Sequence, residues 1–288
     1  MKTTHPIPSA NARARKSTDG GFTLVELVTL VAISTLLLAT LLPALARSGS
    51  NTRGFQCRNN LRQLGNAWRL YADDNRETLV YSADNGAGGS NPYVWNTIHM
   101  NFDPLNSGNC DPAIGLATGP LWSYSGRNAS LYKCPSDESF IVVNGVAKPR
   151  VRSMSMNFYF GGFSGSGGGY SSDFRFFFKT TDLTSPGPAA TFLFLDERED
   201  RINWGNYYTD MVGYGGQPAQ YLFNQDMPSY LHDGSGNFVF GDGHTESRHW
   251  VDSRTTPQLS VGIYDTSVLP SPNNPDIAWL QARSTAPK

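Results

Sequence analysis

From Phe22 to Ala46 the chain is apolar except for Glu26 and a few small or hydroxyl residues. A run of about 25 residues extends roughly 37 Å as an α-helix, enough to cross the hydrocarbon core of a bilayer. Beyond it Cys57, Leu61, Leu64, Trp68 and Tyr71 recur at spacings of four, three, four and three, with Arg58, Arg62, Arg69 and Asp73 on other faces. That spacing is the mark of an amphipathic helix. Gly49 and Gly54 are places where the helix can bend, and Asp74-Asn75 is a stop signal. The pattern predicts one helix from Phe22 to Asn75, its first half in lipid and its second half packed on a sheet.

Downstream the period shortens. Residues 84–120 are rich in Gly, Asn, Ser and Pro and read as a long connecting loop. Short β-like runs follow at Phe140–Val143, Met154–Phe160, Phe174–Phe178, Thr191–Leu195 and Asn237–Phe240. The last begins the best hairpin signal, in which Asp242-Gly243 supplies the positive φ angles of a tight turn and Phe238 and Phe240 share one face. The glycine run 161–169 lacks the ending of a P-loop or dinucleotide fingerprint and reads as a surface loop.

The expected fold class is therefore α+β: a long N-terminal helix, membrane half plus amphipathic half, packed on an antiparallel β-sheet domain with long loops. The expected divisions are a basic leader at 1–21, a transmembrane and assembly helix at 22–46 and its amphipathic continuation at 47–75. A β-rich exported domain at 76–254 and an irregular C-terminal extension at 255–288 complete the chain.

Charge narrows the partners. Lys2, Arg13, Arg15 and Lys16 stand against Asp19 in the leader, so the remainder carries −4 where the whole chain carries −1. No basic cluster invites nucleic acid beyond Arg58, Arg62 and Arg69 on one helix. The charged leader keeps the start of the chain on the cytoplasmic side of a membrane. Charged residues are 16% of the chain while Gly numbers 29 and Pro 18, which favours a loop-rich β domain over a helical bundle. Three cysteines, Cys57, Cys110 and Cys134, allow three pairings. Cys57 with Cys134 is favoured, because Cys57 lies on the helix stripe and Cys134 at an expected strand end; three free thiols are the alternative.

At Gly20-Gly21-Phe22-Thr23-Leu24-Val25-Glu26 the chain resembles the type IV pilin and type II secretion pseudopilin superfamily. The resemblance covers about 25 residues, with glycine, aromatic, acid and proline in register. It implies cleavage by a prepilin peptidase between Gly21 and Phe22, methylation of the Phe22 amine by the same enzyme, Glu26 at the fifth mature position and Pro43 at the twenty-second. It also implies self-association with copies and other pilin-like subunits in a type II secretion or type IV pilus-like filament. A carboxylate in an apolar helix is costly unless paired, and the Phe22 amine of a neighbouring subunit is a natural partner for Glu26. The implied location is the inner membrane, crossed once, with the C-terminal domain in the periplasm or on a surface filament.

A second resemblance spans much of the chain. His232, nine residues and then Asp242-Gly243, taken with the segments around Cys57, Cys134 and Asp196, resemble the large pilin-like proteins with a His-x9-Asp-Gly signature. His232, Asp242, His244, Asp196 and Glu197 are ligand types for a cation; the competing reading is a polar network in which His232 bonds the hairpin turn or Asp242. The segment after Asp233 fails as an EF-hand, with Phe238 where glycine is needed. No serine sits in a nucleophile elbow. The expectation is a structural subunit, not an enzyme, without a cofactor; the alternative is an anchored binding module for a cation or for glycan, the latter through Trp95, Trp122, Tyr170, Trp204, Tyr207 and Tyr208.

Overall fold

The computed structural model describes residues 23–84 and 91–288, with the backbone alone for 40–51. The chain divides into two compact units, Met1–Arg47 and Ser48–Lys288. Helix α1 is assigned over Leu24–Asp74 and a single-turn helix α2 over Leu121–Tyr124. Strands β1 (Phe140–Val143), β2 (Val146–Pro149), β3 (Met154–Asn157), β4 (Phe192–Asp196) and β5 (Asn206–Tyr207) follow. Then come β6 (Leu222–Asn224), β7 (Ser235–Phe240), β8 (Thr245–His249), β9 (Val268–Pro270) and helix α3 (Pro275–Ser284).

Three features correct the expected architecture. Among the described residues no helix is long and apolar enough to cross a membrane, which overturns the membrane half of the helix and the single-pass inner-membrane location. The described apolar side chains, Leu24 to Ala39, cover roughly 24 Å of helix against a hydrocarbon core of about 30 Å. The helix is also not one element of one domain, because the chain divides between Arg47 and Ser48. Finally, the main sheet is mixed, not antiparallel. Its order is β5-β3-β4-β7-β8, with β5 parallel to β3 and the other pairs antiparallel. Two further two-stranded sheets pair β1 with β2 and β6 with β9.

The second unit is built around both faces of the main sheet. Cys57, Leu61, Leu64, Trp68 and Tyr71 are all buried, in one cluster with Met154, Met156, Leu193, Phe194 and Val239. On the opposite side Phe192, Leu195, Phe238 and Phe240 pack with Trp250 and with Ile277 and Leu280 of α3. Alternation along β4 breaks once, since Leu193 and Phe194 join the same cluster, and the β4–β7 register shifts between Phe192 and Phe194. A bulge that inserts one residue produces this. Each large side chain so buried contributes about 1.5–3 kcal/mol.

Gly65 lets α1 come down onto β7. A Cβ there would meet Val239 Cγ2 at 2.9 Å, and the β-branched valine has little rotamer freedom to yield. Gly65→Ala is expected to lower stability by about 1 kcal/mol, as overpacking of about 1–3 kcal/mol exceeds the helix-propensity gain of up to about 1. A urea denaturation midpoint checks this, and a raised midpoint would show that Val239 moves freely.

Local expectations fared unevenly. Met154–Phe160 is a strand only as far as Asn157, and Phe174–Phe178 makes isolated bridges instead of a strand. The hairpin turn is wider than two residues, since the last registered pair is Val239–Thr245. The segment after Thr255 is not irregular throughout: it holds β9 and α3, with Asn274 capping α3 by accepting the Asp276 N–H at 2.8 Å. Asp276 then takes the Val251 and Asp252 N–H groups and the Thr255 hydroxyl, which ties α3 to the end of the β8 hairpin.

Candidate metal centre

Four segments of the second unit converge on one buried point. Cys57 comes from the inward stripe of α1, and Asp196 is the last residue of β4. Cys134 follows a 3-10 turn at Ala129–Tyr132, not the expected strand end, because Asn128 caps that turn by accepting from Ser130 N. His232 lies in the turn before β7. All four are buried, and their ligand atoms lie within 4.8 Å of one another.

His232 Nε2 is 3.1 Å from Asp196 Oδ2 and 3.1 Å from Cys134 Sγ. The Cys57 thiol donates to Asp196 Oδ2 at 3.7 Å. Other groups hold these side chains in place. Asp196 Oδ1 accepts the Asn237 N–H at 2.5 Å, leaving Oδ2 for the cluster. The Cys134 N–H donates to Ser153 Oγ at 2.7 Å, while the Ser136 N–H donates to Cys134 Sγ at 3.4 Å. Gly54 of α1 lies against the imidazole, where a Cβ would stand 3.4 Å from His232 Nδ1.

The environment separates the two thiols. Burial, the hydrogen bond to Cys134 and the Asp196 charge push Cys57 well up. The hydrogen bond from Cys57 draws Cys134 down to about 7; burial opposes this and His232 assists it. For His232, burial disfavours the charged ring, but Asp196 and Cys134 outweigh it and lift the pKa to about 10. Two sulfurs, a carboxyl group and an imidazole edge are thus gathered out of water.

The expected sites map onto this arrangement only in part. Asp196 and His232 of the anticipated cation group do meet, but Asp242, Gly243, His244 and Glu197 lie elsewhere. Asp242 accepts from His244 Nδ1 at 2.6 Å in the exposed hairpin turn, and its carbonyl accepts from Arg69 at 2.9 Å. His232 therefore bonds neither Asp242 nor the hairpin turn, contrary to the polar-network expectation. Gly243 has φ +91° there, so its role is conformational. Cys57 and Cys134 do meet, as free thiols and not as the expected disulfide; Cys110 is a third free thiol, making a weak contact to Ser107 O at 3.8 Å.

Gly21 and Phe22 lie outside the described residues, as does the side chain of Pro43. Glu26 is described. Its Oε2 accepts the Thr23 N–H at 2.9 Å and the Thr23 hydroxyl at 2.8 Å, while Thr23 Oγ1 accepts the Glu26 N–H at 3.3 Å. Thr23-Leu24-Val25-Glu26 is thus a capping box at the start of α1. The Thr-x-x-Glu spacing before an apolar run was the available signal.

A second buried polar group surrounds Arg152. Its guanidinium donates to Met154 O, Ser155 Oγ, Asn203 O and Trp204 O. Nearby, Ser155 Oγ donates to Glu197 Oε2 at 2.5 Å. Burial, then repulsion from Asp226, pushes Glu197 well above the usual carboxylate range, and burial lifts Asp226 to about 7. Of the aromatic residues considered for glycan, Trp95 and Tyr207 are buried and Trp122 packs partly buried against the core, while Tyr170, Trp204 and Tyr208 line one cavity with Asn203, Asn224 and Asp226.

No family model, no curated protein and no solved structure matches the chain.

Proposed function

We propose that this chain is a pilin-like structural subunit, cut after Gly21 by a prepilin peptidase that also methylates Phe22, and assembling through its N-terminal helix with copies of itself or related subunits. The observation that carries the reading is the first part of α1. Leu24, Val25, Leu27, Val28, Leu30, Val31 and Ile33 are each at least half exposed, and the only ionisable side chain among the described residues of this part is Glu26. An apolar surface on all sides of a helix calls for burial against other helices. Bundled copies supply that burial, and the Phe22 amine of one chain then neutralises Glu26 of the next.

The capping box sharpens the test. Glutamine preserves the box but removes the charge, so Glu26→Gln is expected to keep α1 and the cleavage and to reduce multimer formation severalfold. The readouts are the mass of the processed full chain and chemical cross-linking of purified protein. Unchanged multimers for Glu26→Gln would show that the carboxylate serves the cap alone. A mature chain that does not begin at Phe22 would overturn the processing step itself.

A further inference from the structure

The geometry points to a structural zinc site formed by Cys57 Sγ, Cys134 Sγ, Asp196 Oδ2 and His232 Nε2. It is independent of the assembly reading, since all four ligands belong to the second unit. Two thiolates, one imidazole and one carboxylate are the ligand types zinc takes, in the number its tetrahedral structural sites use. Oxygen-seeking calcium and magnesium are poorly served by two sulfurs.

Distances carry the argument further. A tetrahedral zinc with ordinary bond lengths sets its ligand atoms about 3.3–3.8 Å apart. Here the contacts are 3.1 Å from Nε2 to Oδ2, 3.1 Å from Nε2 to the Cys134 sulfur and 3.7 Å from Oδ2 to the Cys57 sulfur, with every pair inside 4.8 Å. Side-chain movements on the order of an ångström close the set around an ion. One Nε2–H faces both a carboxylate oxygen and a sulfur, so a single hydrogen holds together what a divalent ion holds better.

Two backbone donors fit as well, although His232 Nδ1 has no protein partner among the described residues. The Ser136 N–H aimed at Cys134 Sγ is the kind of donor that stabilises a metal-bound thiolate, and the Asn237 N–H on Oδ1 orients Asp196 to offer Oδ2. With Nε2 as the ligand, His232 carries its hydrogen on Nδ1. Binding releases to solvent the His232 Nε2–H proton and every thiol proton that Cys57 and Cys134 carry; no electron is transferred and no oxidant is needed. Four buried protein ligands leave no coordination position for water, so the ion would be structural. It ties α1 to the end of β4, the 3-10 turn and the turn before β7, contacts separated by 139 and 98 residues in sequence.

Elemental analysis of the full chain, purified under reducing conditions without chelator, is expected to find one zinc per chain. Replacement by cobalt(II) is expected to give a thiolate-to-cobalt charge-transfer band and the visible bands of a tetrahedral ion. Cys134→Ser and His232→Ala should lower occupancy at least tenfold, while Cys110→Ser should leave it unchanged. The wild-type metal content and cobalt spectrum decide the matter even if a ligand variant fails to fold. Folded wild-type protein that neither retains zinc nor develops the cobalt bands would overturn the site. A Cys57–Cys134 disulfide found by non-reducing peptide mapping in metal-free native protein would overturn it too.

Discussion

Asp196→Ala is expected to destabilise the chelator-treated protein by about 3–5 kcal/mol, the range for breaking a buried charge pair. The carboxylate is fully buried, accepts the Asn237 N–H and the Cys57 thiol, and faces His232 Nε2. Its removal leaves a backbone donor of β7 without a partner and an imidazole without its counter-charge, away from water. Asp196→Asn should lose less, because the amide oxygen still receives the Asn237 N–H. Urea denaturation followed by tryptophan fluorescence measures both. Chelator treatment separates this effect from loss of a bound ion. An Asp196→Ala midpoint equal to that of the wild type would show that the cluster is electrostatically unimportant to the fold.

Arg152→Ala is expected to be of similar size, about 3–5 kcal/mol. This guanidinium is fully buried, donates to three carbonyls and a hydroxyl, and lies 5.6 Å from the Trp95 ring centroid. Burial draws its pKa down to about 9, opposed by the charge of Glu197. Without it, those carbonyls lose their donors, and the positive charge that opposes the rise of the Glu197 pKa is gone. Arg152→Lys should rescue little, since one ammonium cannot span the fork of acceptors that a planar guanidinium reaches. Arg152→Ala combined with Glu197→Gln should be less destabilised than the sum of the single changes, by about 0.5–3 kcal/mol. Additive effects would show that the two groups do not interact.

The α1 stripe and the β7 alternation were legible because each is a local periodicity. Spacings of three and four put Cys57, Leu61, Leu64, Trp68 and Tyr71 on one side of a helix whatever it packs against, and all five are buried. Period two put Phe238 and Phe240 together, and they share one cluster. Val239 between them was not legible as core. It is buried because α1 covers the other face of the sheet, and no feature of β7 itself announces that cover. The same limit explains β5: a parallel neighbour for β3 of only two residues, Asn206–Tyr207, has too little pattern of its own to be read.

The buried cluster of Cys57, Cys134, Asp196 and His232 shows the limit most plainly. The sequence offers Asp196 and His232 within one candidate cation group, with a His232–Asp242 turn contact as the competing reading, but it pairs Cys57 with Cys134 as a disulfide and brings neither sulfur to that group. Asp242 satisfies His244 locally, as a turn aspartate does. His232 instead meets Asp196 at the end of β4, the strand next to β7. The apolar run after Phe22 was equally visible, yet its described residues form no helix long and apolar enough to cross a membrane.

By itself, the sequence determined which residues are apolar on one side of an element, where turns need glycine, and the cap that Thr23 and Glu26 make at the start of α1, because these depend on neighbours within a few positions. The mixed sheet, the cover on both its faces and the meeting of two sulfurs, a carboxylate and an imidazole were decided by tertiary structure alone. They join segments far apart in sequence, Cys57 and Asp196 by 139 residues and Arg69 and Asp242 by 173, and such contacts are selected by packing and charge satisfaction over the whole unit, which no local periodicity encodes.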